Sequence, residues 1–205
     1  MTLAGARQTG FTLIELVVSL LILVLLIAIA SPSFEQYRSN RRLRLLTSDF
    51  VASVQLARAE AVRRQKIVSM CPTQSVGARS PTCSEDPNFA AWIVFEDGDG
   101  DCLPVAGVLP IRAAAAIAAE ESSRIAARGS GVCISFAVTG ALRSVQDLRT
   151  ADRLLICDAR GIGTPDSMEP SAARGVSIDS SGRVSVTRQR QAIRAWRLSC
   201  PPGNR

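Results

Sequence analysis

The chain has 205 residues, a formal net charge of +6 and 47% hydrophobic residues, which suits one domain beside an apolar segment. It contains no histidine, which removes histidine acid–base chemistry, Ser-His-Asp triads and most catalytic zinc sites. Of the 24 basic residues only Lys66 is lysine; an Arg-rich, Lys-poor composition follows from a GC-rich genome as simply as from an anionic partner.

Residues 10–30 read GFTLIELVVSLLILVLLIAIA, about twenty apolar residues, enough to cross the hydrocarbon core as one helix. Glu15 is the single charge in that run. A carboxylate at such depth costs a few kcal/mol unless it finds a partner, so it reads as functional; the plainer alternative is an anchor that tolerates an acid near its end. The preceding ten residues are polar, carry only Arg7 and end in Gly10. A secretory signal has its cleavage site after the apolar region, whereas here the only plausible cut lies before it.

With Gly10, Phe11, Thr12, Leu13, Ile14 and Glu15 in this order, the N-terminus resembles the class III prepilin signal of type IV pilins and type II secretion pseudopilins. The resemblance implies a leader over 1–10, cleavage after Gly10 by a prepilin peptidase, and N-methylation of Phe11. It also implies that Glu15 pairs with the terminal amine of a neighbouring subunit, where an ammonium would neutralise an otherwise unpartnered carboxylate. The expected partners are other pilins or pseudopilins, met through the N-terminal helix. The expected location is the inner membrane, crossed once by residues 11–31, with the C-terminal domain in the periplasm and the protein assembled into a pilus or pseudopilus. Pro32 stands where such pilins carry a proline, and it should kink or loosen the helix.

Beyond the span, residues 34–66 hold no Pro or Gly and continue the helix as an amphipathic stalk over 32–66. Leu43, Leu46, Phe50, Val54, Ala57 and Ala61 recur at spacings of three and four, one apolar stripe that needs a covering surface. Arg41, Arg42, Arg44, Arg58, Arg63 and Arg64 occupy the other face. After Lys66 the pattern turns to short strands, at 67–70, 91–95, 132–136, 154–157, 176–178, 184–186 and 192–198, separated by glycine-rich turns. Ala113–Ala119 fits either a helical turn or an edge segment. The predicted fold class is therefore α+β: a long N-terminal helix packed against an antiparallel β-rich domain over 67–205.

Six cysteines, Cys71, Cys83, Cys102, Cys133, Cys157 and Cys200, all follow the span. In an oxidising space an even count implies disulfides, and six cysteines allow 15 pairings. Cys71 with Cys83 would staple a short loop containing Pro72 and Pro81, and Cys157 with Cys200 would tie down the C-terminus. Cys102 with Cys133 then follows only by elimination.

Asp97, Asp99 and Asp101 imitate the start of a calcium loop, but Cys102 replaces the expected glycine and Val108 the expected acid. A polar turn is the simpler reading, and neither a metal nor a cofactor is expected. The strand Trp92-Ile93-Val94-Phe95 with this turn resembles the GspH/FimT branch of pilin-like proteins. After Asp179, the last acid, come Arg183, Arg188, Arg190, Arg194, Arg197 and Arg205, with Trp196 among them. Such a series suits either a solubilising strand face or phosphate contacts to double-stranded DNA. FimT-type minor pilins carry a G-R-x-R motif associated with DNA binding; here Gly182 and Arg183 are followed by Val184 and Ser185, a partial match. The resemblance thus implies a FimT/FimU-like minor pilin that helps initiate or cap a pilus. The alternative is a GspH-like minor pseudopilin of the type II secretion system. No catalytic constellation is recognisable, so no enzyme is expected.

Overall fold

The structure, a computed structural model, describes residues 12–115, 125–145, 150–163 and 170–200, with the side chains of 28–33, 35 and 125–127 outside that description. Gly10, Phe11, Arg205 and residues 116–119 of the alanine-rich segment therefore lie outside the described residues. Helix α1 (Leu13–Arg64) opens on Thr12, whose Oγ1 accepts the Glu15 N–H at 3.4 Å. Thr12 and Glu15 thus stand at the two positions of a capping box, and Glu15 places negative charge in the first turn, where the helix dipole favours it. Pro32 falls within the continuous helix. The helix closes at Gln65, which adopts φ 56°, while Lys66 N–H donates to Ala61 O at 3.3 Å, a left-handed C-terminal stop.

Among the described residues no helix is long and apolar enough to cross a membrane. The described side chains of the apolar run, residues 13–27, cover roughly 22 Å at about 1.5 Å per residue, against a hydrocarbon core of about 30 Å. Their large apolar side chains are exposed, from 42% at Val17 to 82% at Leu13. Chain contacts divide the molecule into two units, Met1–Ser39 and Asn40–Arg205. The division falls inside α1 because the helix from Leu43 onward supplies a core of its own.

Within the second unit the strands are β1 (Val68–Pro72), β2 (Ala91–Glu96), β3 (Arg112–Ala115), β4 (Ile125–Gly129), β5 (Ile134–Phe136), β6 (Leu142–Arg143), β7 (Arg153–Asp158), β8 (Arg174–Ile178) and β9 (Val184–Thr187). They form two antiparallel sheets, β3-β2-β1-β5-β6 and β4-β7-β8-β9. The stripe expected from periodicity is the centre of the fold: Leu43, Leu46, Phe50, Val54, Ala57 and Ala61 are all buried. They share one core with Met70, Trp92 and Phe136 of the first sheet and Leu154, Ile156 and Val176 of the second. Phe50 meets Phe89 and Trp92 edge-on, with ring centroids 5.6 and 5.4 Å away, the geometry aromatic pairs prefer.

Each sheet also has a small core on its other face. Cys71, Ile93, Phe95, Cys102, Cys133 and Val145 form one, and Leu155, Cys157, Ala173 and Ile193 the other. The disulfides sit in these outer clusters and join Cys71 to Cys83, Cys102 to Cys133, and Cys157 to Cys200.

The expected strand at 192–198 is instead α2 (Arg190–Ala195). Its residues are acceptable helix formers, and the turn brings Ile193 and Trp196, three apart, onto Gly175. An ideal Cβ at Gly175 would lie 2.6 Å from the Trp196 ring and 3.0 Å from Ile193, so the glycine makes room for a helix above β8. In the segment left open between helix and edge, Arg112–Ala115 forms the edge strand β3.

Candidate functional site

Two regions carry the functional expectations. At the N-terminus, Glu15 is exposed and its main chain is committed locally: its N–H to Thr12 Oγ1, and its carbonyl accepting from Ser19 Oγ at 2.7 Å. The side chain is left facing outward among exposed Leu13, Ile14, Leu16 and Val18. Pro32 lies farther along the same helix, and Gly10 and Phe11, where cleavage and methylation are expected, lie outside the described residues.

At the C-terminal end the structure separates the four arginines. Arg183 follows the tight turn between β8 and β9. Asp179 organises that turn: its Oδ1 accepts the Arg183 N–H at 3.0 Å and the Ser181 hydroxyl at 2.6 Å. The Ser181 bond first, then the Arg183 N–H, holds the Asp179 carboxyl below its ordinary value. Gly182, at φ 78°, completes the turn, and an ideal Cβ there would lie 2.3 Å from Gly140 O. Arg58 of α1 reaches the same place, its Nε donating to Gly140 O at 3.0 Å. The glycine of the partial G-R motif thus has a structural reason to be glycine.

The other three arginines meet the backbone at Gly163 and Ser171. Arg188 Nε donates to Ser171 O at 3.1 Å, Arg194 donates to Gly163 O, and the Arg190 guanidinium packs over Gly163. Arg153 lies 6.0 Å from the Trp196 ring, a cation–π contact across the second sheet.

Sequence reasoning missed Arg174. It is 5% exposed, and its Nη1 donates to Ala172 O at 2.9 Å and more weakly to Ser171 O at 3.4 Å. Burial pushes its guanidinium below the ordinary arginine value, followed by the charges of Arg188, Arg44 and Arg160, with Asp158 opposing. Nothing in Ala-Ala-Arg-Gly distinguishes a buried arginine from a solvated one.

The calcium-like run resolves into a turn. Asp97 is 1% exposed, accepting Gly100 N–H on Oδ1 at 2.9 Å, with Cys102 N–H at 3.0 Å and the Ser69 hydroxyl at 2.5 Å on Oδ2. Asp99 and Asp101 are exposed, and Asp101 Oδ1 accepts the Leu103 N–H at 2.9 Å. Among the described residues no cluster of acids and cysteines could hold a metal ion.

A helix that presents a methylation-type N-terminus and then enters a two-sheet α+β head defines a pilin-like protein. The prokaryotic N-terminal methylation motif matches residues 5–31. The family described as type II transport protein GspH matches residues 46–195, and the chain belongs to that family. Among solved structures it is similar to the type IV minor pilin FimU of Pseudomonas aeruginosa strain PAO1 in two crystal forms. One aligns at 17% identity and a TM-score of 0.47, covering 76% of this chain and 94% of FimU. The other aligns at 17% identity and a TM-score of 0.44, covering 70% and 91%. No curated protein matches.

Proposed function

We propose that the protein is a minor pilin, anchored in the inner membrane by the first part of α1, that helps initiate or cap a type IV pilus. The observation that carries this reading is the start of α1: exposed apolar side chains over 13–27, broken only by Glu15 and Ser19, with Glu15 the one charge. A helix apolar all round needs lipid or neighbouring helices to cover it, and the apolar sequence continues through residue 30. In the filament Glu15 meets the methylated amine of Phe11 on a neighbour, after a prepilin peptidase has cut behind Gly10. Pro32 loosens the helix between membrane and head.

The test is Glu15→Ala, which lowers the cost of insertion while abolishing the pairing. Processing and membrane insertion should persist while incorporation into filaments falls; wild-type incorporation would remove the role assigned to Glu15. A minor pseudopilin of a type II secretion system is the second reading, favoured by the family description. Complementation of a minor-pilin deletion against a pseudopilin deletion separates the two.

Contact with double-stranded DNA remains part of the proposal for the exposed arginines. It rests mainly on Arg183, since Arg188 and Arg194 also serve backbone carbonyls. Changing Arg183, Arg188, Arg190 and Arg194 together to Gln should abolish a weak, salt-sensitive gel shift, and an unchanged shift would end the DNA reading.

A further inference from the structure

The loop between β2 and β3 carries four of the large apolar side chains that the head leaves bare: Leu103, Val105, Val108 and Leu109 are each more than half exposed. The loop is nevertheless firmly held. Cys102 is bonded to Cys133 at its base, Gly107 N–H donates to Ser80 Oγ at 3.1 Å, and Val108 N–H donates to Val105 O at 3.2 Å. Pro104 and Pro110 stiffen its two arms, and Ser80 stands in the segment that the Cys71–Cys83 disulfide closes. Val105, Val108 and Leu109 rim a crevice of about 10 Å³ floored by Ile93 and Phe95, no larger than a single water requires. Loop, crevice and anchors all lie within the described residues.

Three properties limit what can cover this patch. The crevice is too small for a free ligand and admits the end of one apolar side chain. Its one charged wall residue, Glu96, is already paired with Lys66 and, at 3.6 Å, with Arg64. No charged residue stands between Asp101 and Arg112, so the surface offers nothing to a nucleic acid or an anionic headgroup, which basic side chains attract. Its area, a few hundred Å², suits an interaction site but falls short of the roughly 800 Å² per partner that a free-standing complex buries. The occupant must therefore be held nearby by a second contact that raises its effective concentration. Ile93 and Phe95 belong to the outer cluster, whereas Trp92 and Val94 of the same strand join the core shared with α1. The loop thus lies on the side of the first sheet away from α1, where helix packing leaves it bare.

We propose that this loop docks the head onto the head of a neighbouring pilin-class subunit, which places one apolar side chain in the crevice. Filaments relate neighbours head to tail, so the patch meets a different surface of the neighbour and not its own counterpart. The inference rests on the filament assembly proposed above, whether pilus or pseudopilus.

The test uses the full chain in a host that assembles it. With benzoylphenylalanine in place of Leu109, irradiated filaments should yield an adduct to the head of a different pilin-class subunit, located by mass spectrometry. The double change Val105→Asp, Leu109→Asp, at two exposed positions, should leave processing and the melt of the detergent-solubilised chain unchanged. Its incorporation into filaments should fall about tenfold or more, because the contact would then bury unpaired charge, while Val138→Asp, on the turn between β5 and β6, should incorporate as the parent does. The photoprobe result stands even where the aspartates disturb the loop. Parental incorporation of the double variant, or an adduct to lipid, to DNA or to the same loop of a second copy, would overturn the docking proposal alone. A parent chain absent from filaments would overturn it together with the filament reading.

Discussion

Replacing Gly182 by alanine separates two costs that the hairpin between β8 and β9 imposes together. The residue sits at φ 78°, and an ideal Cβ there falls 2.3 Å from Gly140 O, with Arg58 Nε 3.0 Å away. The left-handed backbone alone costs an alanine roughly 1–2 kcal/mol. Pushing apart two backbone segments that the Leu142 N–H ties together at Ser180 O, 3.1 Å away, adds an overpacking cost of about 1–3 kcal/mol. A total near 3 kcal/mol in a unit of this size corresponds to a fall in melting temperature of roughly 6–12 °C. Two controls partition the effect. Gly161 also has a positive φ, 62°, but nothing lies within 4 Å of its ideal Cβ, and Gly98 has neither constraint. Thermal unfolding of the compact unit starting at Asn40 should rank Gly98→Ala near the parent, Gly161→Ala lower by the backbone cost alone, and Gly182→Ala lowest. A Gly182→Ala protein that melts with or above Gly161→Ala would show that the approach to Gly140 stores no energy, and the reasoning would fail.

Mature protein analysed by mass spectrometry should begin at methylated Phe11, and Gly10→Val should accumulate as uncut precursor; any other start refutes the assignment. The Cys157–Cys200 bridge spans 43 residues, so loop entropy assigns it about 4 kcal/mol. Cys157→Ser with Cys200→Ser should lower the melting temperature and expose the α2 segment to protease, whereas an unaltered melt would mean that Ile193 and Trp196 hold the segment unaided. Glu60 accepts from Arg63 at 2.6 Å and Arg64 at 2.5 Å, and those bonds, Arg63 first, lower its pKa to about 2. Because the folded value is depressed, this pairing contributes fully above the ordinary 4.5 and is lost as pH falls toward about 2. NMR titration should find Glu60 near that value, and the double change Arg63→Gln, Arg64→Gln should return it to the ordinary range.

The stalk was legible because its stripe obeys one period without interruption, and each of its six apolar members is buried. The central strands were legible for a similar reason: β1, β2 and β7 are short apolar runs buried on both faces. What escaped was marginal in sequence. Strand β4 is Ile-Ala-Ala-Arg-Gly and β6 is two residues long. Their existence depends on a neighbour offering an edge, not on β-propensity. The α2 segment carries apolar residues at spacings that suit both periods, and only the bare surface of Gly175 selects the helix. The basic end was legible as a charge run, but its geometry was not. Sequence order groups Arg183 with Arg188, whereas the register sets Arg188 against Arg174 and leaves Arg183 on the turn.

The acidic run shows how the outer faces are held where apolar surface is scarce. Asp97 reaches inward from the loop after β2 and takes Ser69 of β1. The Ser69 hydroxyl lies 2.9 Å from that of Ser135 in β5, which in turn accepts from Arg143 Nη1 of β6 at 3.3 Å. One carboxylate therefore links three strands to its own loop, and its spacing to Gly100 and Cys102 is set by the two N–H groups it must accept. The Cys102–Cys133 disulfide anchors the same loop to the chain just before β5. Polar network and covalent bond thus meet at the loop's base, while its tip presents Leu103, Val105, Val108 and Leu109 at 56–77% exposure. Breaking the disulfide alone should leave the base in place, because Asp97 still holds it. Removing Asp97 leaves Ser69 and two buried N–H groups without their acceptor, at about 1–3 kcal/mol each where water cannot reach them, so the carboxylate rather than the sulfur bridge sets the position of the tip.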